Sequence, residues 1–220
     1  MKILAINGSP RKEWNTATLL KKALEGATSQ GAETELIHLY DLDFKGCTSC
    51  FACKLKNGKS YGKCAYRDEI TPVLDRIEDF DALILGSPIY LGTVTGVMKL
   101  FMERLVYPYL VYDVNRSSLF PKKIQVGLIY TMGAEESRIK DLSIDRHIAL
   151  NEMVLSRIFG AAESLMVTNT YQFDDYSKYV TSHSEKEKAM RRKEVFPVDC
   201  EKAFEMGARF AKGKSLNSIT

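Results

Sequence analysis

Two hydrophobic periods alternate along this chain. Residues 2–7 (KILAIN) form a short apolar run that stops at Gly8. Over residues 16–30 the period lengthens, and Leu19, Leu20, Ala23, Leu24 and Ala27 fall on one helical face. The runs 33–39, 81–86, 124–131 and 163–168 read as further strands. The run 81–86 (DALILG) is apolar enough to be buried on both faces. Helices are predicted over 68–79, with Pro72 near the first turn where proline is tolerated, and over 146–159 and about 198–212. Another helix carries Val94, Val97, Met98, Phe101, Met102 and Leu105 at helical spacing. Five alternations of strand and helix predict an α/β fold, a parallel sheet with helices on both faces. Right-handed crossovers make it doubly wound.

Long segments separate these elements: 40–67, 108–121, 132–145 and 169–195. Loops of such length in a compact domain are usually functional or interfacial. The charge run 185–194 is read as a solvated face or mobile loop. No repeat or low-complexity linker divides the 220 residues, so residues 1–220 are expected to form one domain.

Composition narrows the function. Thirty-one Lys plus Arg against 28 Asp plus Glu leave a net charge of +3, a weak footprint for a nucleic-acid binder. No apolar run approaches the roughly 20 residues of a membrane helix, and the N-terminal run is too short for a signal peptide. A cytoplasmic location is expected. There the five cysteines are core residues, metal ligands or redox thiols rather than a disulfide framework.

The segment Gly8-Ser9-Pro10-Arg11-Lys12-Glu13-Trp14-Asn15-Thr16 joins the first strand to the first helix. Ser9, Asn15 and Thr16 are short side-chain donors, and the helix start adds backbone N–H groups and a positive dipole end. Together they suit a phosphate; a plain turn capped by Ser or Asn is the alternative. Neither a Walker loop nor a GxGxxG turn is present.

This loop resembles the FMN-phosphate loop of flavodoxin-like NAD(P)H-dependent FMN reductases and iron–sulfur flavoproteins. A second motif, Gly86-Ser87-Pro88-Ile89-Tyr90-Leu91-Gly92-Thr93-Val94-Thr95-Gly96, resembles the segment that holds the flavin ring in that group. A third loop, Thr131-Met132-Gly133-Ala134, stands where the group makes its remaining ring contacts. The resemblance implies a flavodoxin-like fold of five parallel strands in the order 2-1-3-4-5. In that order the ligand crevice opens between strands 1 and 3 at their carboxyl ends. Bound FMN would contact Ser9, Arg11, Asn15 and Thr16 through its phosphate. Pro88, Ile89, Tyr90, Leu91, Gly92, Thr131, Met132 and Gly133 would contact its ring.

The implied activity is oxidation of NADH or NADPH through FMN, with electrons passed to a quinone, an azo or nitro compound, or free flavin. Hydride transfer to flavin N5 needs no protein acid or base, so no catalytic side chain is named. Charge near flavin N1 would be met by backbone N–H groups at Met132–Gly133. An electron carrier serving a protein partner, either a flavodoxin or an iron–sulfur flavoprotein, is the alternative. A zinc-stapled interaction module is a third.

Cys47, Cys50, Cys53 and Cys64 lie within 18 residues in a CxxCxxC pattern plus one. Cluster-free thiols, a [4Fe–4S] cluster and a four-cysteine zinc site all remain open. The ten-residue gap before Cys64 is longer than in the iron–sulfur flavoproteins, so a redox or structural loop without metal is expected. Lys54, Lys56, Lys59 and Lys63 would stabilise thiolates there, meet NAD(P)H phosphates, or simply solvate the loop. As a strand-to-helix connection the loop is expected on the flavin side. Cys200 sits on the apolar stripe of the last helix. His38, His147 and His183 are read as structural or surface residues. Residues 170–179 hold four aromatics, which points, with the resemblance, to a homodimer or homotetramer interface.

Overall fold

The computed structural model describes residues 1–213. Five parallel strands form its core: β1 (Lys2–Asn7), β2 (Glu33–His38), β3 (Ala82–Tyr90), β5 (Ile124–Thr131) and β6 (Gly160–Val167). Their spatial order is β2-β1-β3-β5-β6, the predicted flavodoxin-like winding. A sixth, two-residue strand, β4 (Thr93–Val94), was not anticipated; it pairs antiparallel with the end of β3. The register Ile3↔Ala82 through Asn7↔Gly86 sets β1 and β3 side by side. The order of winding reverses there, from β2 on one side of β1 to β3 on the other, so the crevice lies at their carboxyl ends.

Helices α1 (Asn15–Ser29) and α6 (Phe196–Ala211) cover one face of the sheet; α3 (Gly96–Val106) and α4 (Ile144–Phe159) cover the other. The strands' continuous apolar runs follow from this. Ile3 and Ala5 of β1 pack under α1 and α6, while Leu4 and Ile6 face the other layer. Gly207 of α6 lies so close to α1 that a Cβ there would stand 1.7 Å from the Ala23 carbonyl oxygen.

Two predicted elements change. The helix expected over 68–79 is a short α2 (Thr71–Leu74) followed by a 3-10 turn, Ile77–Asp79. Arg76, at φ −113° and ψ 12°, leaves helical geometry between them, yet Ile70, Val73, Ile77 and Phe80 are still buried. The run 185–194 is neither mobile loop nor purely solvated face. It is α5 (Glu185–Glu194), capped by Ser184, whose hydroxyl accepts the Glu187 N–H. No helix among the described residues is long and apolar enough to cross a membrane.

Candidate functional site

The turn after β1 is fixed by side chains. Asn7 Oδ1 accepts the Ser9 N–H at 3.0 Å, and Asn7 Nδ2 lies 2.8 Å from His38 Nδ1. Burial holds the His38 imidazole below its usual pKa. Thr95 caps α3 by accepting the Met98 N–H, and its hydroxyl donates to the Gly8 carbonyl at 2.7 Å. The first and second motifs are thereby tied together.

Trp14 precedes helix α1 at the cap position and supplies no side-chain cap, unlike the capped turn that was the alternative. Its first-turn N–H groups therefore have no side-chain acceptor at the crevice. Around them, Thr16 Oγ1 lies 2.8 Å from Thr131 Oγ1, joining the first loop to the end of β5. The second motif is a hairpin rather than an irregular loop. β3 continues through Pro88 to Tyr90, and Leu91 (φ 51°) and Gly92 (φ 84°) make the two-residue turn into β4. Two positive φ values suit such a turn, and leucine there is strained.

After β5, Met132 gives its N–H to the Val167 carbonyl at 3.0 Å, so Met132 is not a free donor for flavin N1. Gly133 remains one. A Cβ at Gly133 would stand 2.1 Å from the Gln172 side chain.

All twelve predicted site residues line one of two adjoining clefts. The first, about 190 Å³, holds the phosphate-loop residues with Pro88, Ile89, Tyr90 and Thr131. The second, about 690 Å³, adds Leu91 and Gly92. Ile89, Met132, Gly133 and Gln172 border both.

Several residues of the site were missed. The segment 169–195, expected at an interface, folds back over the first loop. The Tyr171 carbonyl accepts from Trp14 Nε1 at 3.1 Å and Asn15 Nδ2 at 2.9 Å, and the Gln172 carbonyl accepts from Arg11 Nη1 at 2.6 Å. Its aromatics pack on one another, with Phe173 stacked on Tyr179 at 4.1 Å. Helix α5 inserts two cations. Arg192 donates to Asn15 Oδ1 at 3.0 Å and lies 5.0 Å from the Trp14 ring centroid. Lys188, 2 % exposed, donates to the Gly133 carbonyl at 2.6 Å. The only signal was their spacing, i and i+4 on one helical face. His183, read as a surface residue, borders the second cleft.

The cysteine loop does not sit on this side. Cys47, Cys50, Cys53 and Cys64 line a separate pocket against Glu103, Arg104, Tyr107 and Pro108, at the C-terminal end of α3. That end lies about 16 Å along the helix from Gly96. The chain emerges at the crevice but then runs down α3. Lys54 is anchored by its Nζ, which donates to the carbonyls of Tyr107, Pro108 and Leu110, and its charge still acts on Cys53 and Cys47, opposing the effect of burial on the Cys53 thiol. Buried Arg104 also lines the pocket, held by Asp68 and the Tyr66 carbonyl. Burial raises the Cys53 thiol pKa. Among the described residues, no three His, Cys, Asp or Glu side chains converge to hold a metal ion.

A family model described as NADPH-dependent FMN reductase matches residues 1–163. An iron–sulfur flavoprotein of Methanocaldococcus jannaschii is 39% identical over 104 residues, covering 47% of this chain and 51% of that protein. A putative NAD(P)H-dependent FMN-containing oxidoreductase of Bacillus subtilis is 31% identical over 149 residues, covering 66% of this chain and 73% of that protein. The match spans about half the length of the Methanocaldococcus protein and of an iron–sulfur flavoprotein of Archaeoglobus fulgidus that is 44% identical over 104 residues. Among solved structures, an NAD(P)H:quinone oxidoreductase from Methanothermobacter marburgensis superposes with TM-score 0.68 at 15% identity, covering 95% of this chain and 96% of that one. At that identity the likeness is one of fold.

Proposed function

The chain belongs to the NADPH-dependent FMN reductase family, and from that premise we propose that it binds FMN in the paired clefts and oxidises NADH or NADPH. One observation carries the reading: three separate loops, 8–16, 87–96 and 131–134, converge at the carboxyl ends of β1 and β3. The donor set suits a phosphate. The α1 start lacks a side-chain cap, and Ser9, Arg11, Asn15 and Thr16 surround it. Arg11 keeps further guanidinium donors beyond the one on Gln172.

When bound, FMN supplies the redox chemistry, taking a hydride and passing electrons on. The protein's part is binding and orientation. The β3–β4 hairpin and the 131–134 loop would flank the ring, with Tyr90 against it. The acceptor would be a small quinone, azo or nitro compound, or flavin, entering through the wider cleft. Residues 1–220 act in this reading as one FMN-binding domain. The test is titration of the purified protein with FMN, followed by NAD(P)H oxidation with a quinone. One FMN per chain and steady turnover support the reading; no uptake of FMN refutes it.

The finer readings rest on single features. A cytoplasmic location rests on the five free thiols. A homodimer or homotetramer rests on apolar side chains at the cleft rim, where Leu91 is fully exposed and Tyr90 and Leu142 are about half exposed. A monomer mass in light scattering at micromolar concentration refutes it.

A second reading, an iron–sulfur flavoprotein passing electrons to a protein partner, rests on the four cysteines lining one pocket. Relatives bear that name. The pocket's free space is about 20 Å³, room for roughly one water, so a [4Fe–4S] cluster would require the loop to open. The leading reading expects little iron or sulfide after anaerobic purification. Near four of each per chain, lost in Cys50→Ser, would establish the second.

A further inference from the structure

Lys188 is the one buried residue of α5, a helix otherwise exposed or half-exposed and rich in charge. Its ammonium forms no ion pair among the described residues, and its one hydrogen bond there is to the Gly133 carbonyl. A buried cation without a carboxylate is costly, and folds keep such groups paired or put them to use. Burial lowers its pKa, with exposed Glu135 opposing that shift and Arg191 adding to it. Gly133 borders both clefts, so the charge stands directly behind the loop that faces them. The loop's other polar groups are largely taken: the Met132 N–H and carbonyl and the Ala134 carbonyl all bond to the strand-end segment Val167–Thr170. The Gly133 carbonyl is given to Lys188, which polarises the loop towards positive potential.

We propose that Lys188 is a positioning residue for the redox step, a buried positive charge that favours reduced over oxidised FMN through the 131–134 loop. The inference rests on the FMN reading above. The electron balance explains the need for charge. Breaking the C4–H bond of NAD(P)H and forming an N–H bond on the cofactor moves two electrons and one proton. NAD(P)H leaves as NAD(P)⁺, and the site gains one net negative charge. A fixed cation at the loop offsets that charge without reorganisation. The electrons then pass to the small acceptor, and the charge leaves with them.

The test is the two-electron midpoint potential of FMN bound to the full chain, read spectroscopically against a dye of known potential. Three variants are compared with the natural protein. Lys188→Gln keeps a donor for the Gly133 carbonyl and removes the charge; Lys188→Met removes both; Lys188→Arg keeps the charge. Both neutral variants are expected to bind oxidised FMN within threefold of the natural protein. They are expected to lose about tenfold in preference for reduced FMN, a fall of about 30 mV for a two-electron couple. Lys188→Arg is expected to hold the natural value.

A residue that only braces the loop would shift FMN affinity without moving the potential. Unmoved potentials in the neutral variants overturn the inference, as does a fall in Lys188→Arg equal to theirs. Failure of both neutral variants to fold even with FMN present makes Lys188 a residue of the fold and also overturns it. A natural protein that takes up no FMN refutes the underlying reading instead, before any variant is made.

Discussion

The Thr16–Thr131 hydroxyl pair bridges 115 positions in sequence and closes one wall of the phosphate cleft, at 2.8 Å. Both residues are buried, at 2 % and 3 % exposure. Replacing either by valine keeps the shape and removes one hydroxyl. The remaining hydroxyl then has lost its partner away from water, which costs about 1–3 kcal/mol. Replacing both removes the orphan, and the loss should largely disappear. The double variant is therefore expected to be more stable than the sum of the singles by about 1–3 kcal/mol in urea unfolding without FMN. Additivity within about 0.5 kcal/mol would refute the pair as a stabilising contact. FMN titration separates structure from binding. If the Thr16 hydroxyl also serves the phosphate, Thr16→Val should weaken FMN by about 1–3 kcal/mol, roughly 5- to 150-fold in Kd. Ser9→Ala should lose a similar amount. Unchanged affinity in both variants would take this loop out of the site.

At the α1–α6 crossing, Gly207→Ala should destabilise the protein by about 3 kcal/mol, since its Cβ meets the Ala23 backbone at 1.7 Å and no side chain can yield; urea midpoints check this. Asp81 accepts the Lys2 N–H at 2.9 Å and pairs with Lys122 at 3.1 Å, and these contacts hold its carboxyl below the usual range. A lowered folded pKa contributes stability above the unfolded value and loses it as pH falls through the folded one. Asp81→Asn should thus cost at most about 1 kcal/mol near neutral pH, given the exposure of the pair, and nothing once the pH has fallen through the lowered pKa of the carboxylate. A pH-independent difference would refute this assignment.

Much was legible in the sequence because it rests on local periodicity. Strands buried on both faces must be apolar through their centres, as β1 (residues 3–6), β3 (82–85) and β5 (126–129) are, and the alternation with amphipathic helices implies the winding. Placing the strand-to-helix loops at one sheet edge then follows from parallel topology, and the switch point singles out loops 8–16 and 87–96, while the family resemblance adds the 131–134 loop to the same crevice. Local pattern says nothing about which long-range partner a polar side chain finds. Lys188 and Arg192 lie in a run of charges that reads as solvated, and only packing of α5 over the first loop turns that face inward. Sequence leaves Lys54 open to thiolates, phosphates or solvent, and only packing shows that three carbonyls beyond the end of α3 hold its ammonium while its charge still reaches Cys53. The cysteine loop shows the same limit. Topology fixes where a loop leaves the sheet, but a loop of this length goes wherever it can bury its side chains, here along α3 and away from the cleft. Sequence determined the frame and the loops that meet at its switch point; tertiary structure decided which charges face that point, because burial and pairing are set across the chain, not along it.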